Sequence, residues 1–242
     1  MIPLKDDIPS RTFPIVNVTL IVINVFFFLV EVSLGDKLQY VFNSFGVVPA
    51  KFFASFYIVD DRIVYIGIAD RVIPLFTSMF LHGGWFHLLG NMLYLWIFGD
   101  NVEDRMGHLR YLVFYISCGI LASLTHIIFN PSSNVPSVGA SGAIAGVLGA
   151  YMLSFPTARV VVLVVLFFYI DFVALPALLV LGFWFVMQFF SGVLSLGVQS
   201  ASTGGVAWWA HIGGFVAGMV LLFIFRKKNY RPLGRDLWWI RR

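Results

Sequence analysis

Across six stretches of this chain (13–34, 76–98, 111–129, 138–155, 172–198 and 206–225) Asp, Glu, Lys and Arg occur once, as Glu31. About 20 apolar residues in helical conformation cross the ~30 Å hydrocarbon layer of a bilayer, and each stretch reaches or approaches that length. No other feature constrains the fold as strongly. Composition agrees: 60% of the 242 residues are apolar and 12% charged, against about 25% charged in an ordinary soluble domain. An all-α polytopic membrane protein with six transmembrane helices is predicted. The first run is too long for a cleaved leader and lacks a small-residue cleavage site, so it is expected to be retained as a span. A seventh apolar run, 160–170, is about 16 Å long as a helix and too short to cross; it is expected at the interface or as a re-entrant segment.

Charge sets the orientation. Alternating spans put Lys5, Arg11, Arg105, Arg110, Arg159 and the seven cations of 226–242 on one face, leaving Lys37, Lys51, Arg62 and Arg71 on the other. By the positive-inside rule both termini are cytoplasmic, with 1–12 as the N-terminus, 13–225 as one membrane domain and 226–242 as a basic tail. Such a tail after a span reads as a topology anchor, not a nucleic-acid surface. The aromatic-rich segment 35–75 is then a partly embedded outer-face loop, and 197–205, rich in Gly and Ser, is a flexible outer connection that can serve as a lid. The single cysteine, Cys118, excludes an internal disulfide.

Polar groups inside spans are costly and are candidates for function. Asn17, Asn24 and Glu31 recur every seven residues along one side of the first helix and read as interhelical hydrogen bonds. His126 and Gln188 lie in no local motif and read as packing hydrogen bonds. Ser141 differs, because it sits in Gly139-Ala140-Ser141-Gly142 at the start of an apolar helix. Glycines admit a substrate backbone, and the helix N-terminus offers unpaired N–H donors to an oxyanion. The tetrapeptide alone, a short pattern, fits an ordinary N-terminal serine among packing glycines better than a nucleophile. Small residues continue as Gly142 and Gly146, and the last helix carries Ala210, Gly214 and Gly218 at the same spacing of four, so the two ridges are expected to pack closely. His211 precedes Gly214 by three residues and lies near that face.

Depth provides a second test. Ser141 and His211 lie roughly 4.5 and 7.5 Å from the outer ends of their spans at 1.5 Å per residue, so the two side chains can meet as nucleophile and general base. Neither helix carries a carboxylate, and a two-residue dyad is expected, with no acid to orient the histidine. His87 and Asn91, at i and i+4 on the second helix, are candidate oxyanion donors. The alternative of a metal held by His82, His87 and His211 lacks an HExxH motif and any carboxylate, so no metal or cofactor is expected.

Taken together, G-A-S-G at Gly139–Gly142, A-H-x-x-G-x-x-x-G at Ala210–Gly218, H-x-x-x-N at His87–Asn91 and E-x-R at Glu103–Arg105 resemble the rhomboid intramembrane serine proteases. The resemblance extends over 76–225. It implies a six-helix bundle, Ser141 as nucleophile, His211 as base, and His87, Asn91 and the Ser141 N–H as oxyanion stabilisers. Glu103 and Arg105 would be structural. It implies transmembrane-helix proteins as substrates, reaching the site from membrane lipid past the fifth helix, with Phe183, Phe185, Phe189 and Phe190 as a gate. A bacterial inner membrane is the expected location. The Trp-Arg pair of the family's first loop has no counterpart, since Arg71 follows Asp70. An inactive relative that binds transmembrane helices, and a channel or transporter, are the competing readings; the first usually lacks nucleophile or base, and the second wants inward-facing charges or repeated halves.

Overall fold

A computed structural model describes residues 2–59, 62–166, 169–195 and 207–228. The chain enters as strand β1 (Ile2–Asp6) and continues into helix α1 (Ile15–Ser33). An assembly of short elements follows: α2 (Leu38–Phe45), α3 (Pro49–Phe53), the hairpin β2 (Phe56–Val59) and β3 (Arg62–Tyr65), then α4 (Ala69–Thr77). Next come α5 (Trp85–Met106), α6 (His108–Phe129), α7 (Ser141–Ser154), the hairpin β4 (Arg159–Leu166) and β5 (Tyr169–Pro176), α8 (Ala177–Ser195) and α9 (Trp208–Phe225).

Helices α1, α6, α8 and α9 are long and apolar enough to cross a membrane. Residues 69–80 and α5, bent by 79° at a short break, together make a fifth candidate, whereas α7 has only 14 residues. The expected span at 138–155 is thus a helix of about 21 Å, shorter than a hydrocarbon layer. α7 is the centre of the bundle: every residue from Gly142 to Tyr151 is buried. By contrast α1, α8 and α9 turn large apolar side chains outward, among them Phe26, Phe190 and Phe223, each about 60% exposed. Side chains of this kind on the rim of a bundle suit lipid.

Two expectations are corrected. The fold is mainly helical but not all-α: β1, β4 and β5 form one antiparallel sheet in the order β1-β4-β5, and β2 and β3 form a second. Within 160–170, residues 160–166 and 169–170 accordingly belong to strands, paired from Arg159↔Pro176 to Leu166↔Tyr169. The physical reason is visible in RVVVLVVL: β-branched side chains fit a pleated, half-buried surface better than a helix, and Val160 and Val162 are fully buried while Val165 is exposed. Because β5 extends to Pro176, the expected span at 172–198 begins as helix only at Ala177. The connection at 197–205, the span ends at 198 and 206, and the tail beyond 228 lie outside the described residues.

The bundle is tied together at one end by consecutive side chains of α5. Glu103, wholly buried, accepts the amides of Val16 (3.0 Å) and Asn17 (2.7 Å) and pairs with His108 Nδ1. It therefore caps the N-terminus of α1 from another helix, where orphan donors and the positive end of the dipole both favour an anion. Asp104 accepts the Arg11 and Thr12 amides just before α1. Arg105 Nη1 donates to Lys227 O (2.9 Å), and Lys227 N donates to Arg105 O (3.0 Å), closing the end of α9 onto α5. On α1, Asn17 donates to Leu95 O and accepts from Tyr111 Oη, and Glu31 accepts the His82 amide. Asn24 departs from the expected pattern by donating to Leu20 O within its own helix.

Candidate active site

Ser141 is the first residue of α7, and the ten residues before it come from outside any helix. That approach is pinned on three sides: Val47 and Ser137 exchange backbone hydrogen bonds (3.0 and 2.7 Å), Ala50 N donates to Ser133 O (3.0 Å), and Gly139 N donates to Ser78 O (2.8 Å). The elements before α5 therefore hold the loop that leads into Ser141. Within that assembly, Arg71 Nη2 donates to Ala54 O (2.8 Å), tying α4 to α3. Irregular backbone at membrane depth is tolerated where protein satisfies its polar groups and it lines a cavity.

The two small-residue ridges bring α7 and α9 into backbone contact. A Cβ on Gly214 would lie 2.0 Å from Gly142 O, and one on Gly218 1.9 Å from Gly146 O. Only glycine permits this approach. The α7 glycines serve two neighbours: Cβ atoms on Gly142 and Gly146 would strike Ala122 and Cys118 of α6, at 2.7 and 2.5 Å, whereas one on Gly149 would lie 2.2 Å from Phe215 O of α9. Ala210 lies over Gly142, 3.8 Å from such a Cβ.

This packing places His211 beside Ser141, with Nε2 and Oγ 2.8 Å apart. The other ring nitrogen, Nδ1, lies 2.7 Å from Gln188 Oε1 of α8. A carboxamide oxygen only accepts, so Nδ1 carries the proton and Nε2 presents a lone pair to the Ser141 hydroxyl. Trp184 lies tilted over the imidazole at 5.8 Å between ring centroids.

His87 and Asn91 line the same cleft as Ser141 and His211, a space of about 980 Å³. Gly83 N donates to His87 Nδ1 (3.3 Å), which leaves the His87 proton on Nε2. Gly139 holds φ +129°, and a Cβ there would lie 2.6 Å from His87 Nε2 and 3.6 Å from Ser141 Oγ. The missing side chain is what lets the imidazole edge and the hydroxyl share one space. Asn91 Nδ2 is buried without a hydrogen-bond partner, a cost of about 1–3 kcal/mol that a bound acceptor would relieve. Of the proposed metal set, His82 is buried against Phe28 and His87, and no group of three or more His, Cys, Asp or Glu among the described residues has a metal-binding arrangement. Glu103 and Arg105 lie away from the cleft, in the clamp described above.

Gln188 is the residue whose role in the site spacing did not disclose. The signal available was its being an amide in an otherwise apolar helix. The four phenylalanines expected to form a gate divide: Phe185 stacks on Phe215 of α9 (4.7 Å), while Phe183, Phe189 and Phe190 are exposed.

Residues 69–228 match the family model of the rhomboid domain. This chain belongs to the rhomboid family. Among its relatives it is 36% identical over 151 residues to RHOMBOID-like protein 1 of Arabidopsis thaliana, covering 62% of this chain and 34% of that one. It is 45% identical over 78 residues to Rhomboid protease GluP of Bacillus subtilis, covering 32% and 15% respectively. With the mitochondrial presenilin-associated rhomboid-like protein A of Danio rerio it shares 32% identity over 91 residues, 37% of this chain and 24% of the relative. The chain thus spans half or less of the length of these relatives. Family and apolar helices together make it a multi-pass membrane protein, in a family that includes proteases.

Proposed function

We propose that this chain is an intramembrane serine endopeptidase that cleaves transmembrane segments of other membrane proteins. The observation that carries the reading is the 2.8 Å contact between Ser141 Oγ and His211 Nε2. In the reaction, His211 Nε2 takes the Ser141 proton as Oγ attacks the scissile carbonyl carbon. Negative charge develops on the carbonyl oxygen, and His87 Nε2–H, Asn91 Nδ2–H and the free amides at the start of α7 are the donors for it. Imidazolium then protonates the leaving amine, and water attacks the acyl-enzyme with His211 again as base. Through every step α7, α9 and the clamp of Glu103 and Arg105 keep the two rods in register.

The topology proposed with this function has six helices (α1, α5, α6, α7, α8, α9) in the membrane, 1–12 and 226–242 in the cytoplasm, and 35–75 on the outer face. The distribution of cations supports it. So does the length of α7, since a helix of about 21 Å starting at Ser141 sets the hydroxyl below the outer surface while leaving it beside a cleft that admits water. The β4–β5 hairpin, with Val165, Ile170 and Phe172 exposed, would lie at the cytoplasmic interface. A bacterial inner membrane is retained as the proposed location; the named relatives come from a plant, a bacterium and fish mitochondria. A regular substrate helix keeps its carbonyls in its own hydrogen bonds, so the favoured substrates have small or helix-breaking residues near the cut.

The test is labelling with a fluorophosphonate probe and cleavage of a model transmembrane substrate in liposomes. Ser141→Ala is expected to lose labelling, and Ser141→Ala and His211→Ala each to lose at least about 10³-fold in kcat, with membrane insertion unchanged. Retained cleavage by either variant would end the reading.

A further inference from the structure

We propose that Gln188 is a positioning residue for this reaction, holding His211 in its productive tautomer only while α8 stays packed against α9. The inference rests on the proposed function, and its basis is a chain of three groups drawn from three helices: Gln188 Oε1 to His211 Nδ1 at 2.7 Å, then His211 Nε2 to Ser141 Oγ at 2.8 Å. A neutral imidazole has one donor and one acceptor nitrogen. Whichever group sits at Nδ1 therefore decides whether Nε2 can accept the serine proton. Here that group is a carboxamide oxygen, an acceptor without charge. Among apolar side chains such as Trp184 and Phe215, a carboxylate is costly to bury unless it is fully paired. An amide orients the ring without that penalty.

The same helix face is shaped for the contact. Trp184, Gln188 and Gly192 follow one another at i, i+4 and i+8, so all three point toward α9. A Cβ on Gly192 would lie 3.0 Å from Ile212 Cδ1 and 3.5 Å from Trp208 Cβ; its absence lets α8 come close enough for Gln188 to reach His211. Beyond that face α8 is weakly held, with Ala177, Val180 and Leu181 its other buried residues. A substrate helix that displaces α8 would break the Gln188–His211 hydrogen bond and free the ring to change tautomer, so chemistry waits until α8 returns.

The experiment uses the full chain in liposomes, with three readouts: fluorophosphonate labelling rate, kcat and KM on a model transmembrane substrate, and ¹⁵N NMR of labelled histidine, with the His211 signals assigned by His211→Ala. Gln188→Met, similar in length and without the oxygen, is expected to lower labelling rate and kcat about ten- to hundred-fold with KM unchanged, and to replace the single Nδ1–H pattern by a tautomer mixture. Gln188→Glu restores an acceptor whose charge is paired by His211 Nδ1–H, and is expected to restore the Nδ1–H pattern and recover part of the rate. Wild-type kinetics and an unchanged ¹⁵N pattern in Gln188→Met would overturn the role of Gln188 while leaving the dyad intact. An equal loss in both variants would also overturn it, since orientation by an acceptor predicts rescue. A wild-type protein that takes no label would instead overturn the proposed function.

Discussion

Helices α7 and α8 both lend a polar side chain to His211, yet they are built on opposite principles. α7 is buried along ten consecutive residues, packed on α9 through glycine contacts in which no Cβ fits. α8, longer and more apolar, buries four residues and shows most of its phenylalanines to the outside. The difference matches two tasks that the proposed function requires: a nucleophile must be held still, whereas a helix at the lipid-facing edge of a cleft has to yield if another helix is to enter. Close packing confers the first property, and sparse burial the second.

The largest way to break this contrast is on the α7 side. Gly218→Leu drives a side chain into the backbone of Gly146 and is expected to destabilise the bundle by about 3 kcal/mol or more, read as the melting temperature in detergent. The corresponding change on α8, Gly182→Leu, meets open space and is expected to leave that temperature unchanged. Next in size is Glu103→Ala, which strips the cap from α1 and orphans the Val16 and Asn17 amides; a loss of about 2 kcal/mol is expected, measured by the same melt. Gln at this position should recover part of it.

A smaller, pH-dependent effect concerns the far end of α7, where Tyr151 Oη donates to Asp6 of β1. Burial, with a minor contribution from Asp100 and Asp7, pushes the Asp6 carboxyl up from 3.8 to about 7. The native state thus holds this proton more firmly than the unfolded chain. Its contribution to stability is complete below about pH 4 and is lost as pH rises through 7. Protection factors of the β1 amides against hydrogen exchange are expected to fall between pH 5 and pH 8, and Asp6→Asn to abolish the difference. Smallest of all, Phe190→Ala on the exposed side of α8 is expected to change stability by no more than about 0.5 kcal/mol; a larger loss would show that α8 is held as firmly as α7.

Much of the site was legible before any coordinates because it depends on short-range spacing. His87 and Asn91 share a face at i and i+4, and the matching depths of Ser141 and His211 follow from counting residues along two rods. The ridge Gly214-x-x-x-Gly218 also announced a close contact, though not that Gly142 and Gly146 turn toward α6 while Gly149 turns toward α9. The strand pair at 159–176 is hidden for a local reason: an apolar run of 11 residues between charges carries no helical or alternating period, and only its five valines among Val160–Val165 point to strand. Gln188 was missed for a non-local one. Nothing within α8 indicates which of its neighbours a lone amide will meet.

The amino-acid sequence alone determined that this chain is a multi-pass membrane protein and which stretches are apolar enough to build its bundle, because hydropathy and helical rise are properties of each segment by itself. Which faces meet was decided only by the tertiary structure. The proton on His211 Nδ1, the proton on His87 Nε2 and the wedge of empty space at Gly139 each depend on a partner from another helix or loop, and partners are chosen by the packing of the whole bundle.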